Sequence, residues 1–110
     1  MSQSVLVVDD EPMARTLLRL MLVRSGYEVI EAVDGQDALQ KLETSTPDLI
    51  ILDVMMPGID GFMVCSTIRE NSLLSHLPVI MLSAKSDLQS AQRGMESGAT
   101  KYLTKPIYIK

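Results

Sequence analysis

Short apolar runs alternate with amphipathic stretches along the whole chain, and this alternation constrains the fold more than any other feature. The first run, at residues 5–8, contains no polar side chain, which is typical of a strand buried on both faces of a parallel sheet. Further runs follow at residues 27–32, 48–54, 79–82 and 101–104. Strands that alternate with helical patterns indicate repeated βα units. The sequence therefore predicts a doubly wound α/β fold with five parallel strands.

The first amphipathic stretch predicts a helix that begins at Pro12 and ends near Gly26. Proline suits the first turn of a helix because its missing N–H is not needed there, and glycine is a common stop. Leu18 and Leu22 form an apolar stripe beside a larger one, so this helix is apolar over more of its circumference than one sheet contact requires. The larger stripe consists of Met13, Leu17, Leu20 and Met21.

Three further helices are predicted between the later strands. Residues 36–43 and 62–70 each place apolar side chains on one face, and Cys65 on the second of these faces is interpreted as a core residue. The run Ser86-Asp87-Leu88-Gln89 resembles a capping box and predicts the start of the fourth helix. Gly98 predicts its end.

Length, composition and charge limit the classes of function. A chain of 110 residues has room for one domain, so residues 1–110 are interpreted as a single unit. The net charge of −4 and the aromatic content of 4% disfavour direct nucleic-acid binding. No run approaches a membrane span, one cysteine cannot form an internal disulfide, and the N-terminus lacks a basic secretory segment. We therefore expect a cytoplasmic location.

Polar residues follow the predicted strands at their carboxyl ends, where sites form in doubly wound sheets. Asp9 and Asp10 follow the first strand, and Asp53 ends the third. Ser83 and Lys105 follow the fourth and fifth strands. A single aspartate in such a place is usually a helix cap, but four strand ends that carry this set are hard to explain as caps. We expect these side chains to converge.

The residue types predict a site for a hard cation and an anion. Three carboxylates brought together repel one another, so a cation is expected among them. Oxygen ligands without nearby His or Cys favour Mg²⁺ over Zn²⁺. The hydroxyl of Ser83 and the ammonium of Lys105 suit phosphoryl oxygens. His76 follows a polar loop and is interpreted as a solvated side chain.

As a set, these motifs resemble the CheY-like receiver domain of bacterial response regulators over residues 5–106. The resemblance depends on Asp9-Asp10, Ser83-Ala84, Lys105-Pro106 and the segment 53–61 (Asp-Val-Met-Met-Pro-Gly-Ile-Asp-Gly). It implies a flavodoxin-like sheet with the strand order 2-1-3-4-5. It also implies a phosphoacceptor signalling switch of a two-component system, not an enzyme that turns over external substrates.

The same resemblance implies a role for each site residue. Asp53 is expected to take a phosphoryl group from a histidine kinase or a histidine phosphotransfer protein, in a Mg²⁺-dependent reaction. Lys105 would pair with the phosphoryl group, and Ser83 with Tyr102 would switch the surface of helix 4 and strand 5. The bond from Lys105 to the following proline is cis in the family. The Mg²⁺ ligands would be Asp10, Asp53, the backbone carbonyl of Met55 and, through water, Asp9.

The receiver fold ends in a fifth helix, whereas this sequence stops at Lys110. We expect a truncated receiver domain, with swapping or a homodimer as the alternative. Without that helix, Leu18 and Leu22 are expected to be partly uncovered, which soluble monomers seldom tolerate over a large patch.

Three other classes of protein share part of this pattern. A phosphatase of the haloacid dehalogenase group would need Asp-x-Asp, but Met55 stands two residues after Asp53. A flavin- or nucleotide-binding module would need a phosphate-binding loop after the first strand, where Asp9, Asp10 and Glu11 would repel phosphate. A receiver-like interaction module that is never phosphorylated remains open, because a sequence shows the residues and not their use.

Overall fold

Five parallel strands form one sheet in the order β2-β1-β3-β4-β5, which confirms the predicted fold class. The computed structural model describes residues 3–84 and 87–105. The strands are β1 (Ser4–Val8), β2 (Glu28–Ala32), β3 (Leu49–Asp53), β4 (Val79–Ser83) and β5 (Lys101–Thr104). The helices between them are α1 (Pro12–Arg24), α2 (Gly35–Thr44), α3 (Gly61–Glu70) and α4 (Leu88–Glu96). The boundaries differ from those predicted by at most two residues, and β5 has the predicted bounds.

The sheet buries side chains on both faces, which explains the unbroken apolar runs of its central strands. Leu6 and Val8 of β1 belong to a core cluster shared with α2 and α3. Val5 and Val7 of the same strand point the other way, into a smaller cluster shared with α1. Strand side chains alternate between faces, so a strand covered on both sides contains no position for a polar residue.

The expected role of the two stripes on α1 was wrong. Leu18 is only 7% exposed and, with Leu22, packs in the cluster against β1, β3 and β4. Met13 is 79% exposed and Leu17 is 59% exposed, so the larger stripe faces away from the sheet. Both stripes have helical spacing, and apolar content alone does not distinguish them. Arg15, three residues before Leu18 on the same face, contacts the ends of β1 and β2 and shows which face is turned inward.

Polar caps fix the helix ends close to the predicted places. Pro12 occupies the first turn of α1, and Gly26 and Gly98 follow α1 and α4 with positive φ angles, as a helix stop requires. The prediction that Ser86 caps α4 was wrong, because Asp87 is the cap and accepts a hydrogen bond from Ser90 N. Ser86 itself lies outside the described residues, as does the segment from Pro106 to Lys110, on which the cis bond and the fifth helix depend.

Arg69 of α3 joins the loops that precede β4 and β5, and we call this contact set the amino-edge clamp. Its guanidinium donates hydrogen bonds to the carbonyl oxygens of Leu77 (2.6 Å), Gly98 (2.8 Å) and Ser75 (3.2 Å), and to Thr100 Oγ1 at 3.5 Å. Thr100 Oγ1 also accepts the Val79 N–H. The clamp therefore ties α3 to the starts of two strands.

Cys65 and His76 lie where the sequence predicts them. Cys65 is fully buried in the larger core cluster, and burial raises the pKa of its thiol. His76 is exposed. No helix among residues 3–84 and 87–105 is both long and apolar enough to cross a membrane.

Candidate functional site

The carboxyl edge of the sheet brings together the three predicted carboxylates. One oxygen from each of Asp9, Asp10 and Asp53 lies within 4.8 Å of the others. Asp9 is 1% exposed and Asp53 is 5% exposed, whereas Asp10 is exposed at the rim. Two of the three acidic groups are therefore held out of water, where their mutual repulsion is screened least.

Lys105 supplies the positive charge for this cluster. Its Nζ lies 2.9 Å from Asp9 Oδ2 and 3.2 Å from Asp53 Oδ1. The backbone fixes this position, because Lys105 N donates to Ser83 O at 2.8 Å and so continues the pairing of β4 with β5. Burial alone would lower the pKa of Lys105, but the hydrogen bond to Asp9 and the charge of Asp53 outweigh it and raise the pKa. The ammonium stays charged.

Asp53 lies in surroundings that disfavour its charged form. Burial raises the pKa of its carboxyl, and the charges of Asp9 and Asp10 raise it further, while Lys105 opposes them. One ammonium faces three carboxylates, so the described residues leave an excess of negative charge. A carboxylate at the end of a buried strand, held beside a cation, is suited to act as a nucleophile.

Gly61 keeps the backbone close to Asp53. Gly61 N donates to Val54 O at 3.0 Å, and a Cβ at this position would lie 2.5 Å from the carbonyl oxygen of Asp53. Any side chain at residue 61 would therefore displace either the end of β3 or the start of α3. The glycine that ends the segment 53–61 therefore has a steric reason.

A cleft of about 510 Å³ opens beside the end of β3, between the loop before α3 and the N-terminal half of α4. Met55 lies in its wall with an exposed side chain. Arg93 crosses the cleft, 4.4 Å above the ring of Phe62 and 3.9 Å from Asp60 Oδ2. The end of β3, where Asp53 lies, therefore adjoins a cleft whose other wall is formed by α4.

The two predicted switch residues lie on neighbouring strands. Ser83 is fully buried at the end of β4 and stands opposite Thr104 of β5. Tyr102 is half-buried and packs against the larger core cluster. Its ring lies over Gly94 of α4, where a Cβ would come within 2.7 Å of Cδ2. An aromatic ring thus connects β5 with α4.

Two arginines of the site were missed by the sequence reasoning. Arg15 donates to the carbonyl oxygen of Asp9 at 2.8 Å, and Arg93 is the contact across the cleft. Neither follows a strand, which was the signal used to collect site residues. Spacing alone could not have identified Arg15, because it shares a helix face with Leu18 and Leu22, and only the structure shows that this face is turned toward the sheet.

The donor set fits a hard cation. The grouping of possible ligands at this edge consists of carboxylates alone, and carboxylate oxygens in small number are what Mg²⁺ accepts while it retains water. The partly exposed position of Asp10 leaves room for such water. Asp9 is already occupied by Lys105 and by Glu11 N, which donates to its Oδ1 at 3.0 Å.

Fold and site together define a class. A flavodoxin-like sheet that gathers aspartates and a lysine at its carboxyl edge is the arrangement of a receiver-type signalling module. The family model of the response regulator receiver domain matches residues 5–110. The chain belongs to this family, whose members are receiver modules of two-component signalling.

Curated and solved relatives agree with this assignment. The chain is 50% identical over 107 residues to the alkaline phosphatase synthesis transcriptional regulatory protein PhoP of Bacillus subtilis, covering 97% of this chain and 44% of PhoP. It is 42% identical to protein PilG of Pseudomonas aeruginosa, covering 94% and 76%. The chemotaxis protein CheY4 of Vibrio cholerae superposes with a TM-score of 0.93 at 36% identity, covering 98% and 90%. The chain spans less than half the length of PhoP.

Proposed function

We propose that Asp53 accepts a phosphoryl group from a phosphohistidine of a histidine kinase or a histidine phosphotransfer protein. The observation that carries this proposal is the position of Asp53, buried at the end of β3, 3.2 Å from Lys105 and grouped with Asp9 and Asp10. Aspartates that merely cap helices do not need a shared ammonium. Asp34, Asp60 and Asp87 do cap helices here, and each lies outside the cluster.

The transfer is a substitution at phosphorus. An Oδ of Asp53 forms the new P–O bond as the P–N bond to the donor imidazole breaks, and the electron pair of that bond stays on the imidazole nitrogen. The product is an acyl phosphate on Asp53. Lys105 then pairs with a phosphoryl oxygen, which explains why its Nζ lies between Asp9 and Asp53 before the reaction.

Mg²⁺ is the cofactor that this donor set suits. Asp10, Asp53 and the backbone carbonyl of Met55 would hold it directly, and Asp9 would do so through water. A bound divalent cation offsets the charge that develops on the transferring phosphoryl oxygens. It would also offset the excess of negative charge that Lys105 leaves.

The phosphoryl group is proposed to change a surface and not a substrate. The hydroxyl of Ser83 would move to bond a phosphoryl oxygen, and the ring of Tyr102 would turn into the space it leaves. Because the Tyr102 ring lies over Gly94, its rotation would change the packing of β5 against α4. Such a switch biases an equilibrium between two arrangements of α4 and β5.

The partner that reads this surface is proposed to be an effector domain or protein. PhoP is named as a transcriptional regulatory protein, and more than half of its length lies outside the part matched here. We infer that nucleic-acid contact, where it occurs, belongs to such an effector. The receiver itself is proposed to work in the cytoplasm as a signalling switch.

Incubation with acetyl phosphate and Mg²⁺ tests the proposal. Intact mass should increase by about 80 Da, the mass of one phosphoryl group, and EDTA should prevent the increase. Asp53→Asn should abolish it. Asp34→Asn is the matched control, because asparagine also caps helices well and Asp34 is outside the cluster, so this variant should gain the same mass.

Two results would contradict the proposal. An adduct that persists in Asp53→Asn would place the acceptor at another residue. A protein that gains no mass from acetyl phosphate or from a phosphorylated histidine kinase would be the unphosphorylated interaction module that the sequence leaves open.

A further inference from the structure

Arg15 links the first site strand to its neighbour from inside α1. Its Nη1 donates to the carbonyl oxygen of Asp9 at 2.8 Å, and its Nε lies 3.2 Å from Glu31 Oε1 at the end of β2. The side chain is only 16% exposed. A guanidinium is planar and presents its donors as a rigid fork, so these two contacts fix its plane as well as its position.

Arg15 completes the set of bonds that immobilise Asp9. Asp9 N donates to Ala32 O at 3.2 Å. Asp9 Oδ1 accepts from Glu11 N, and Oδ2 accepts from Lys105 Nζ. The remaining polar group of Asp9 is its carbonyl, which belongs to the peptide unit that joins Asp9 to Asp10. Arg15 therefore sets the plane of that peptide unit.

The orientation of this peptide matters most to Asp10. Asp10 is exposed, unlike Asp9 and Asp53, so packing contributes little to its placement. The direction of its Cα–Cβ bond follows from the backbone, because peptide planes have only two soft dihedral angles per residue. A donor on the preceding carbonyl is thus a means of holding the Asp10 carboxylate near that of Asp53.

We propose that Arg15 is a positioning residue that pre-organises Asp10 as a ligand for the cation. The inference rests on the proposed function, because it assumes that the carboxylate cluster binds Mg²⁺. Glu31 restrains Arg15 from the other side, and Glu31 is in turn contacted by Arg19 at 3.4 Å. Groups that orient metal ligands from outside the ligand shell commonly change metal affinity by about 10- to 100-fold.

Calorimetric Mg²⁺ binding to the metal-free protein is the test. We expect Arg15→Ala to raise the Kd for Mg²⁺ by about tenfold. We also expect it to shift the backbone amide resonance of Asp10 before any metal is added. Arg15→Lys should lie between this variant and the wild type, because one ammonium does not reproduce the fork.

Arg19→Ala is the matched control. Arg19 is on the same helix and contacts the same Glu31, but one helical turn further along the chain from Asp9. Its removal should leave the Mg²⁺ affinity within about twofold of wild type, the scale expected of an exposed charge. The free energy of unfolding of all variants, measured in urea without metal, reports any purely structural role of Arg15.

The outcomes separate this inference from the proposed function. If the wild type gains the phosphoryl mass while Arg15→Ala and Arg15→Lys bind Mg²⁺ as tightly as wild type, only the inference fails, and a loss of stability alone would make Arg15 a structural residue. If the wild type neither binds Mg²⁺ nor gains mass, both fail together.

Discussion

Arg69 at the amino edge of the sheet and Lys105 at the carboxyl edge both lie among acceptors, but the two basic side chains act in opposite ways. In the amino-edge clamp, Arg69 donates to three backbone carbonyls and one hydroxyl, all of them neutral. At the carboxyl edge, Lys105 lies between the acidic side chains of Asp9 and Asp53. The first arrangement satisfies polar groups that the fold already contains. The second leaves negative charge uncompensated.

This difference separates a structural site from a functional one. Buried carbonyl groups need donors in any fold, so the clamp can be complete and inert. Carboxylates gathered by a fold are not needed for its stability, and functional sites commonly cost stability. The excess charge at the carboxyl edge is therefore best explained by what the site binds.

Removal of Arg69 should have the largest effect on stability. Arg69→Ala leaves two part-buried carbonyls, those of Leu77 and Gly98, without their donor. Each such loss costs about 1–3 kcal/mol, so we expect a loss of about 3 kcal/mol in the free energy of unfolding. Urea denaturation measures it. Because Cys65 is buried beside Arg69, the rate of thiol labelling should increase in parallel.

Arg24→Ala is the control for this change. Arg24 lies in the last turn of α1 and is exposed, and such surface substitutions usually stay within about 0.5 kcal/mol. Equal losses in the two variants would mean that the amino-edge clamp contributes no more than a surface arginine does.

Loss of a carboxylate from the carboxyl edge should change the free energy of unfolding by less, and in the opposite direction. Asp53→Asn relieves both the burial of a charge and its repulsion by Asp9, so the metal-free protein should gain about 1 kcal/mol in the free energy of unfolding, the scale typical of relieved functional sites. Mg²⁺ should stabilise the wild type more than this variant.

Asp34→Asn again provides the comparison, since it changes a carboxylate to an amide at a helix cap and should leave stability nearly unchanged. A clear loss of stability in Asp53→Asn would show that the pairing with Lys105 outweighs the repulsion, and the contrast between the two edges would then disappear.

The smallest effect on stability is expected from Asp37 of α2, which pairs with Lys41 and belongs to neither edge of the sheet. The hydrogen bond from Val33 N, together with Lys41 at 3.1 Å, holds the pKa of Asp37 below its usual value. A carboxyl whose pKa is lower in the folded than in the unfolded state stabilises the fold at pH values above its unfolded-state pKa. This stabilisation is lost as the pH falls through the folded-state pKa. The stability of wild type relative to Asp37→Asn should therefore fall only below about pH 4. A pH series of urea midpoints checks this, and a difference that grows toward neutral pH would contradict it.

Most of the fold could be predicted because local and global signals agree. The apolar run at residues 5–8 had to be a buried strand, and glycines at 26 and 98 had to end helices. The site residues could be collected because parallel strands place their carboxyl ends at one edge. That Asp9, Asp10, Asp53 and Lys105 lie together follows from this rule. Their roles in phosphoryl transfer remain predictions.

The rest depends on choices that periodicity does not encode. Two apolar stripes on α1 satisfy the same spacing, and the structure turns Leu18 inward and Met13 outward. The cap of α4 moves from the predicted Ser86 to Asp87, because either side chain could accept the same kind of hydrogen bond. Arg15 was missed since it lies in a helix and not at a strand end.

The pair formed by Lys105 and Asp9 has a consequence for how the protein is made. The two residues are separated by 96 positions in sequence, so the pocket closes only when the last strand is in place. A nascent chain that emerges from the ribosome carries all three aspartates long before the lysine that pairs with Asp9 and Asp53. Contacts of such high sequence separation form late. We therefore expect the protein to become able to bind Mg²⁺ and to accept a phosphoryl group only in the final step of folding. Incompletely synthesised chains would then take no part in signalling.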